Sequence, residues 1–202
     1  MERNYMKILI EGTDFSGKTT LAKKIKKYID QHDSCIYFHM PKGRTEESRK
    51  LYDNIKSERR TGAKDIKILL SHYYNSEYVL NTNYNMVVDR SILSFCCYQN
   101  IDPELIKQMM VSFEIPTLKF DLAFCYVCDG DAIKERMNRT NDSLDEYYLS
   151  NVANIMKNYS IFPHTDLFDC ERHNRYFIDS SDMSEDDMFE GAKEVIDEVL
   201  FG

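Results

Sequence analysis

Met6 to Thr19 reads MKILIEGTDFSGKT, and the rest of the chain is best read outward from it. MKILIE is a continuous apolar run of strand length. Gly12 to Thr19 fits the pattern GxxxxGK[ST] in full. Residues 17–31 then set Leu21, Ala22, Ile25, Tyr28 and Ile29 at helical spacing, with lysines on the other side. Strand, glycine loop and helix in that order lift the pattern above coincidence. Gly12 and Gly17 let the main chain close around phosphate oxygens. Backbone N–H groups and the positive end of the following helix favour the anion. Gly12, Thr13, Asp14, Phe15, Ser16, Gly17, Lys18, Thr19 and Thr20 are therefore expected to cradle the phosphates of ATP. Lys18 would reach the β- and γ-phosphates, and the Thr19 hydroxyl would ligate Mg²⁺. Asp14 stands out, because a carboxylate beside a phosphate cradle is repelled unless it points elsewhere, such as toward a second substrate.

Strand-like and helix-like segments alternate through the rest of the chain. Strands are expected at 35–39, 85–88, 121–127 and 176–178, and helices at 63–82, 103–113 and 131–158. The 131–158 stretch carries a polar break near Asn138 to Ser143. A last helix begins near Ser184, with Ser184 and Asp187 as a shortened capping box. This order predicts an α/β fold: a five-stranded parallel sheet with helices on both faces, the three-layer architecture of phosphate-loop kinases, with a small lid near 135–147. With no Gly/Ser- or Pro-rich linker, residues 1–202 read as a single domain.

The composition narrows the partners. The chain has 202 residues and a net charge of −8, so a nucleic-acid polymer is not expected. No apolar run reaches the ~18 residues needed to cross a bilayer, and the N-terminus does not resemble a signal peptide. A cytoplasmic protein with reduced thiols is expected. Cys125 and Cys128 form a CxxC, but the surrounding segment reads as a buried strand, and no second cysteine pair or metal-binding histidine motif accompanies it. Apolar filling is the preferred reading. The absence of an NKxD motif weighs against a GTP switch.

The second substrate has its own signature. Asp89-Arg90-Ser91 follows the third strand at its carboxyl end, where open parallel sheets bind ligands. Asp89 suits a hydrated Mg²⁺ or a substrate hydroxyl, and Arg90 suits a bidentate phosphate clamp. Asp89 to Gln99, DRSILSFCCYQ, resembles the DR[YS]xxSxxxYQ signature of thymidylate kinases. Glu135 to Glu146, ERMNRTNDSLDE, resembles that family's arginine-bearing lid.

The resemblance implies a nucleoside monophosphate kinase that moves the γ-phosphoryl of ATP, with Mg²⁺, onto dTMP or a related deoxynucleoside monophosphate. It implies that Arg90 and Arg44 grip the acceptor phosphate. Asp14 would face the acceptor sugar, and Asp89 would lie near Mg²⁺. Tyr98 would stack under the deoxyribose, with Ser94 and Gln99 near the base or sugar. Arg136 and Arg139, at i and i+3 on one helix face, would stabilise the transferring phosphoryl group together with Lys18. Asp142, Asp145 and Glu146 are the candidates for the lid's acidic positions. Two positions depart from the pattern. In Leu69 to Glu77, LLSHYYNSE, Ser71 and Asn75 replace the family's base-stacking Phe and base-bonding Arg. Tyr73 or Tyr74 is the alternative stacking partner. A homodimer is expected by analogy. The competing readings are a deoxynucleoside kinase and a non-catalytic nucleotide-binding regulator.

Overall fold

The computed structural model describes residues 5–57, 61–140 and 146–201. Five strands form one sheet: β1 (Lys7–Gly12), β2 (Cys35–His39), β3 (Asn85–Asp89), β4 (Leu122–Val127) and β5 (Arg175–Asp179). Their order is β2-β3-β1-β4-β5, and every neighbouring pair is parallel. The helices are α1 (Lys18–Ile29), α2 (Glu46–Ser57), α3 (Thr61–Asn81), α4 (Ile92–Gln99), α5 (Pro103–Ser112), α6 (Gly130–Thr140), α7 (Glu146–Tyr159) and α8 (Glu185–Phe201).

Alternation along the central strands explains the layers. In β1, Ile8 and Ile10 face one way and Leu9 the other, as a two-residue period requires. Ile8, Ile10, Val87, Phe124 and Tyr126 pack under α1 and α8, against Leu21, Ile25, Met188, Ala192 and Ile196. Leu9, Val88, Ala123, Cys125 and Val127 pack on the opposite side, against Leu69, Leu93, Ile106 and Tyr159. Both faces are covered, so β1 and β4 are almost wholly buried and read as unbroken apolar runs.

Two helices depart from the sequence expectation. α4 lies inside the DRSILSFCCYQ signature, yet Ile92 to Cys97 are all buried. A helix enclosed on every side has no polar stripe to betray its period. α2 is the reverse case, a charged helix held at its start by Thr45, whose Oγ1 accepts from Ser48 N at 3.0 Å. The other elements fall within a few residues of expectation. The box at the start of α8 forms as read: Ser184 N donates to Asp187 Oδ2 and Asp187 N to Ser184 Oγ, both at 3.1 Å. Cys125 and Cys128 are fully buried, and desolvation pushes both thiols up, in keeping with apolar filling.

Candidate active site

The carboxyl ends of β1, β2 and β3 meet at one edge of the sheet. Ile10 lies opposite Asp89, and His39 lies opposite Asp89 on the other side. The phosphate loop begins there. Gly12 closes β1 at φ 136°, and a Cβ on it would lie 1.8 Å from the Tyr126 carbonyl oxygen. Only glycine fits so close an approach. Thr13 fastens the loop to β4: its N–H donates to Tyr126 O at 3.2 Å, and its Oγ1 accepts from Cys128 N at 3.1 Å. Gly17 precedes α1 at φ 87°, so the free N–H groups of the first helical turn open toward the loop.

Lys18 is buried at 5% exposure. Its Nζ donates to Thr13 O at 2.8 Å and lies 3.5 Å from Asp14 Oδ1. Thr19 Oγ1 and Tyr37 OH both donate to Asp89 Oδ2, each at 2.8 Å. Asp89 Oδ1 is buried and has no hydrogen-bond partner among the described residues. A bare carboxylate oxygen beside a threonine hydroxyl is a hard-oxygen pair that suits a hydrated Mg²⁺, which takes few protein ligands and keeps its waters.

Arg90 follows directly, at φ 75°. Its guanidinium pairs with Asp14 through Nη2, donates from Nη1 to Ser94 Oγ at 3.1 Å and from Nη2 to Tyr98 OH at 3.3 Å, and lies 4.9 Å from the Tyr98 ring centre. The residues tune one another's charge. Burial works to raise the pKa of Asp14, but Arg90, Lys18 and a hydrogen bond from Tyr98 outweigh it and hold the carboxyl below its ordinary value. Burial and the neighbouring Arg90 push Lys18 down. Burial also lowers His39, reinforced by Arg90, Lys18 and Lys42, with Asp89 opposing. Asp14, Lys18, Thr19, His39 and Arg90 line a cleft of about 730 Å³ together with Phe15, Gly17, Thr20, Arg136, Arg139, Met183, Ser184, Glu185 and Met188.

A family model described as thymidylate kinase matches residues 10–166, a span that includes the phosphate loop, Asp89-Arg90 and both arginines of α6. The chain belongs to the thymidylate kinase family. Membership makes it an ATP-dependent nucleoside monophosphate kinase of nucleotide biosynthesis, acting on dTMP or a related deoxynucleoside monophosphate; neither competing reading finds support. The fold is shared with the thymidylate kinase of Ehrlichia chaffeensis, at 15% identity, a TM-score of 0.70, and coverage of 96% of this chain and 99% of that one. It is shared also with the thymidylate kinase of Candida albicans, at 18% identity, a TM-score of 0.72, and coverage of 96% and 92%. No curated protein matches the sequence.

The expected residues of this family member fall into two groups. Asp14, Phe15, Gly17, Lys18, Thr19, Thr20, Arg90, Arg136 and Arg139 line the cleft together. Thr13 and Ser16, within the loop, are fully buried. Arg136 donates to backbone carbonyls: Phe15 at 2.9 Å, Ser180 at 2.5 Å, and Ser181 and Met183 at 3.3 Å each. Arg139 is exposed and pairs with Glu135. Ser94 is buried, and its Oγ lies among protein partners rather than on the cleft.

The acceptor positions on α3 sit elsewhere. Ser71 Oγ and Asn75 Nδ2 both donate to the Pro41 carbonyl, at 2.5 and 2.8 Å, and both residues are fully buried. Tyr74 lines a separate open groove with Thr45, Glu47, Glu77, Tyr78, Asn81 and Thr82. Arg44 and Gln99 are exposed outside the cleft. Asp142 and Asp145 lie outside the described residues; Glu146 opens α7.

Sequence reasoning missed Tyr37, His39, Glu11 and the Met183–Glu185 wall. Glu11 did leave a signal: a charged residue ending an apolar strand must have a buried partner.

Proposed function

We propose that residues 1–202 act as one kinase domain in which the phosphate loop holds ATP and Arg90 holds the acceptor phosphate. The observation that carries this reading is the Asp14–Arg90 ion pair, which joins the donor loop to the DRS segment across the mouth of the cleft. Lys18, now turned onto Thr13 O, would swing to the β- and γ-phosphates. Thr19 and Asp89 would hold Mg²⁺, which supplies charge neutralisation on the phosphate oxygens. Asp14 and Tyr98 would orient the sugar beside Arg90. Transfer is direct and in line, driven by positioning and by cations gathered around the equatorial oxygens rather than by a covalent intermediate.

The guanidinium of Arg136 is engaged with backbone carbonyls, so Arg139 is assigned to the transferring phosphoryl group. Replacing Arg139 by Ala should lower kcat about 10²-fold and leave the KM for ATP nearly unchanged. With Ser71 and Asn75 held on Pro41, the base is read loosely. dTMP and dUMP, which differ by one methyl group, should turn over within about tenfold of each other, the low end of what one methyl group gives. A cytoplasmic homodimer is proposed by family analogy; no helix among the described residues is long and apolar enough to cross a membrane. The deciding experiment is ADP release with ATP against a panel of nucleosides and monophosphates. Turnover of deoxynucleoside monophosphates is expected, and turnover of thymidine without dTMP would sink the reading.

A further inference from the structure

Glu11 is fully buried at the end of β1, one residue before the phosphate loop. Its Oε1 accepts from Ser91 N and from Ser91 Oγ, both at 2.6 Å. Its Oε2 accepts from Ser94 Oγ at 2.6 Å and from Tyr159 OH at 3.2 Å. All four contacts are donors to a carboxylate, an arrangement that offsets part of the cost of burying the charge, although burial still holds the carboxyl above its ordinary value. Its partners all lie around Arg90.

Arg90 is a non-glycine residue in the left-handed region, a strained conformation that persists only where its surroundings enforce it. The main chain is held on both sides of it by consecutive residues of β1. Arg90 N donates to Ile10 O at 2.9 Å, and Ser91 N donates to Glu11 Oε1. The side chain is held by the same carboxylate at one remove. Ser94 has a single hydroxyl hydrogen, and spending it on Glu11 leaves a lone pair for Arg90 Nη1 at 3.1 Å. Tyr159, at the end of α7, closes the network. Its OH lies 2.9 Å from Ser94 Oγ, and its ring meets the Tyr98 ring edge-on with centroids 6.4 Å apart. Asn158 fastens the same helix end to α4 through Cys97 O at 2.9 Å.

We infer that Glu11 is a positioning residue for the acceptor phosphate, setting the backbone of Arg90 through Ser91 and the direction of its guanidinium through Ser94, with Tyr159 bracing the relay. The inference rests on Arg90 being the acceptor clamp. Glu11→Gln keeps the volume but reverses the relay. Ser91 N–H needs an oxygen at its side, so the new amide N–H₂ faces Ser94 and competes with Arg90 for the serine oxygen.

The test is steady-state kinetics on the intact chain with Glu11→Gln, Ser94→Ala, the double variant, Tyr159→Phe and Arg90→Ala. Glu11→Gln should lower kcat/KM for the monophosphate about tenfold, as expected for one charge-assisted bond, with the KM for ATP held within about twofold. Ser94→Ala should do the same, and the double variant should be no worse than the poorer single one, because both break one relay. Tyr159→Phe should shift the same parameter about threefold. Glu11→Gln unchanged, both substrates affected equally, or single effects that multiply in the double variant would each overturn the inference. If Glu11→Gln does not fold, an unchanged kcat/KM for the monophosphate in both Ser94→Ala and Tyr159→Phe overturns it. Arg90→Ala with an intact kcat/KM for the monophosphate overturns the clamp and this inference together. A damaged Arg90→Ala beside a normal Glu11→Gln overturns this inference alone.

Discussion

On the proposed assignment, the donor half and the acceptor half of the cleft are built differently. The donor half is a run of consecutive residues, 12–20, whose donors are mostly backbone N–H groups fixed by two glycines and a helix start. The proposed acceptor half presents Asp14 from the loop and Arg90 after β3 to the cleft, backed by side chains far apart in sequence: Ser94 and Tyr98 from α4, Glu11 from β1 and Tyr159 from α7. Backbone cradles tolerate side-chain change as long as the glycines stay. Side-chain constellations depend on each member and on what holds it. The donor half should therefore fail at one charge, and the acceptor half by degrees at many points.

The sharpest way to break this contrast is Lys18→Ala. Removing the cation proposed to reach the β- and γ-phosphates should cost about 10³-fold in kcat. The described contacts of Lys18 lie within the loop and with Asp14, so the melting temperature should move by only a few degrees. Near-normal turnover would mean that the backbone cradle suffices by itself. Arg90→Ala comes next. It should raise the KM for the monophosphate or lower kcat, up to about 10²-fold, the range of a charge-assisted pair. ATP affinity by equilibrium titration should stay within about twofold, and an equal loss for both substrates would erase the distinction between the halves.

The smallest effect concerns pH. His72 on α3 is 3% exposed beneath Met40 and Ser91, on the acceptor side, and burial pushes it down to about 4 from 6.5. The unfolded chain takes up this proton as pH falls through about 6.5, while the folded chain does not until about 4. Stability should thus be complete above pH 7 and decline between about 6.5 and 4, with about 2 kcal/mol lost by pH 5. Denaturant midpoints at pH 8 and pH 5 check this, and His72→Phe should flatten the difference.

The same contrast governs what the sequence could tell. The donor loop was legible because its physics is local: glycines, a lysine and a threonine at fixed spacing between a strand and a helix. Asp89 and Arg90 were legible because they end a strand at the right edge of the sheet. The helix α4 was hidden by its own burial, and α2 by its charge, although Thr45 and Ser48 carried a capping signal. Ser71 and Asn75 could not be placed from spacing alone. Their faces of α3 are set by the approach of the β2–α2 loop, so close that a Cβ on Gly43 would meet Asn75 Oδ1 at 1.7 Å. Glu11 needed the fold most, since three of the four groups that bond it are about eighty residues away and the fourth is 148 away.

Asp14 stands between two cations, Lys18 at 3.5 Å and Arg90 in direct contact. Each cation raises the other's electrostatic cost while they share that one anion. A triphosphate that draws Lys18 away hands more of Asp14 to Arg90 and lessens the repulsion Arg90 feels. A monophosphate on Arg90 does the same for Lys18. The two substrates are thereby linked thermodynamically, and whatever factor one adds to the other's affinity is returned in equal measure.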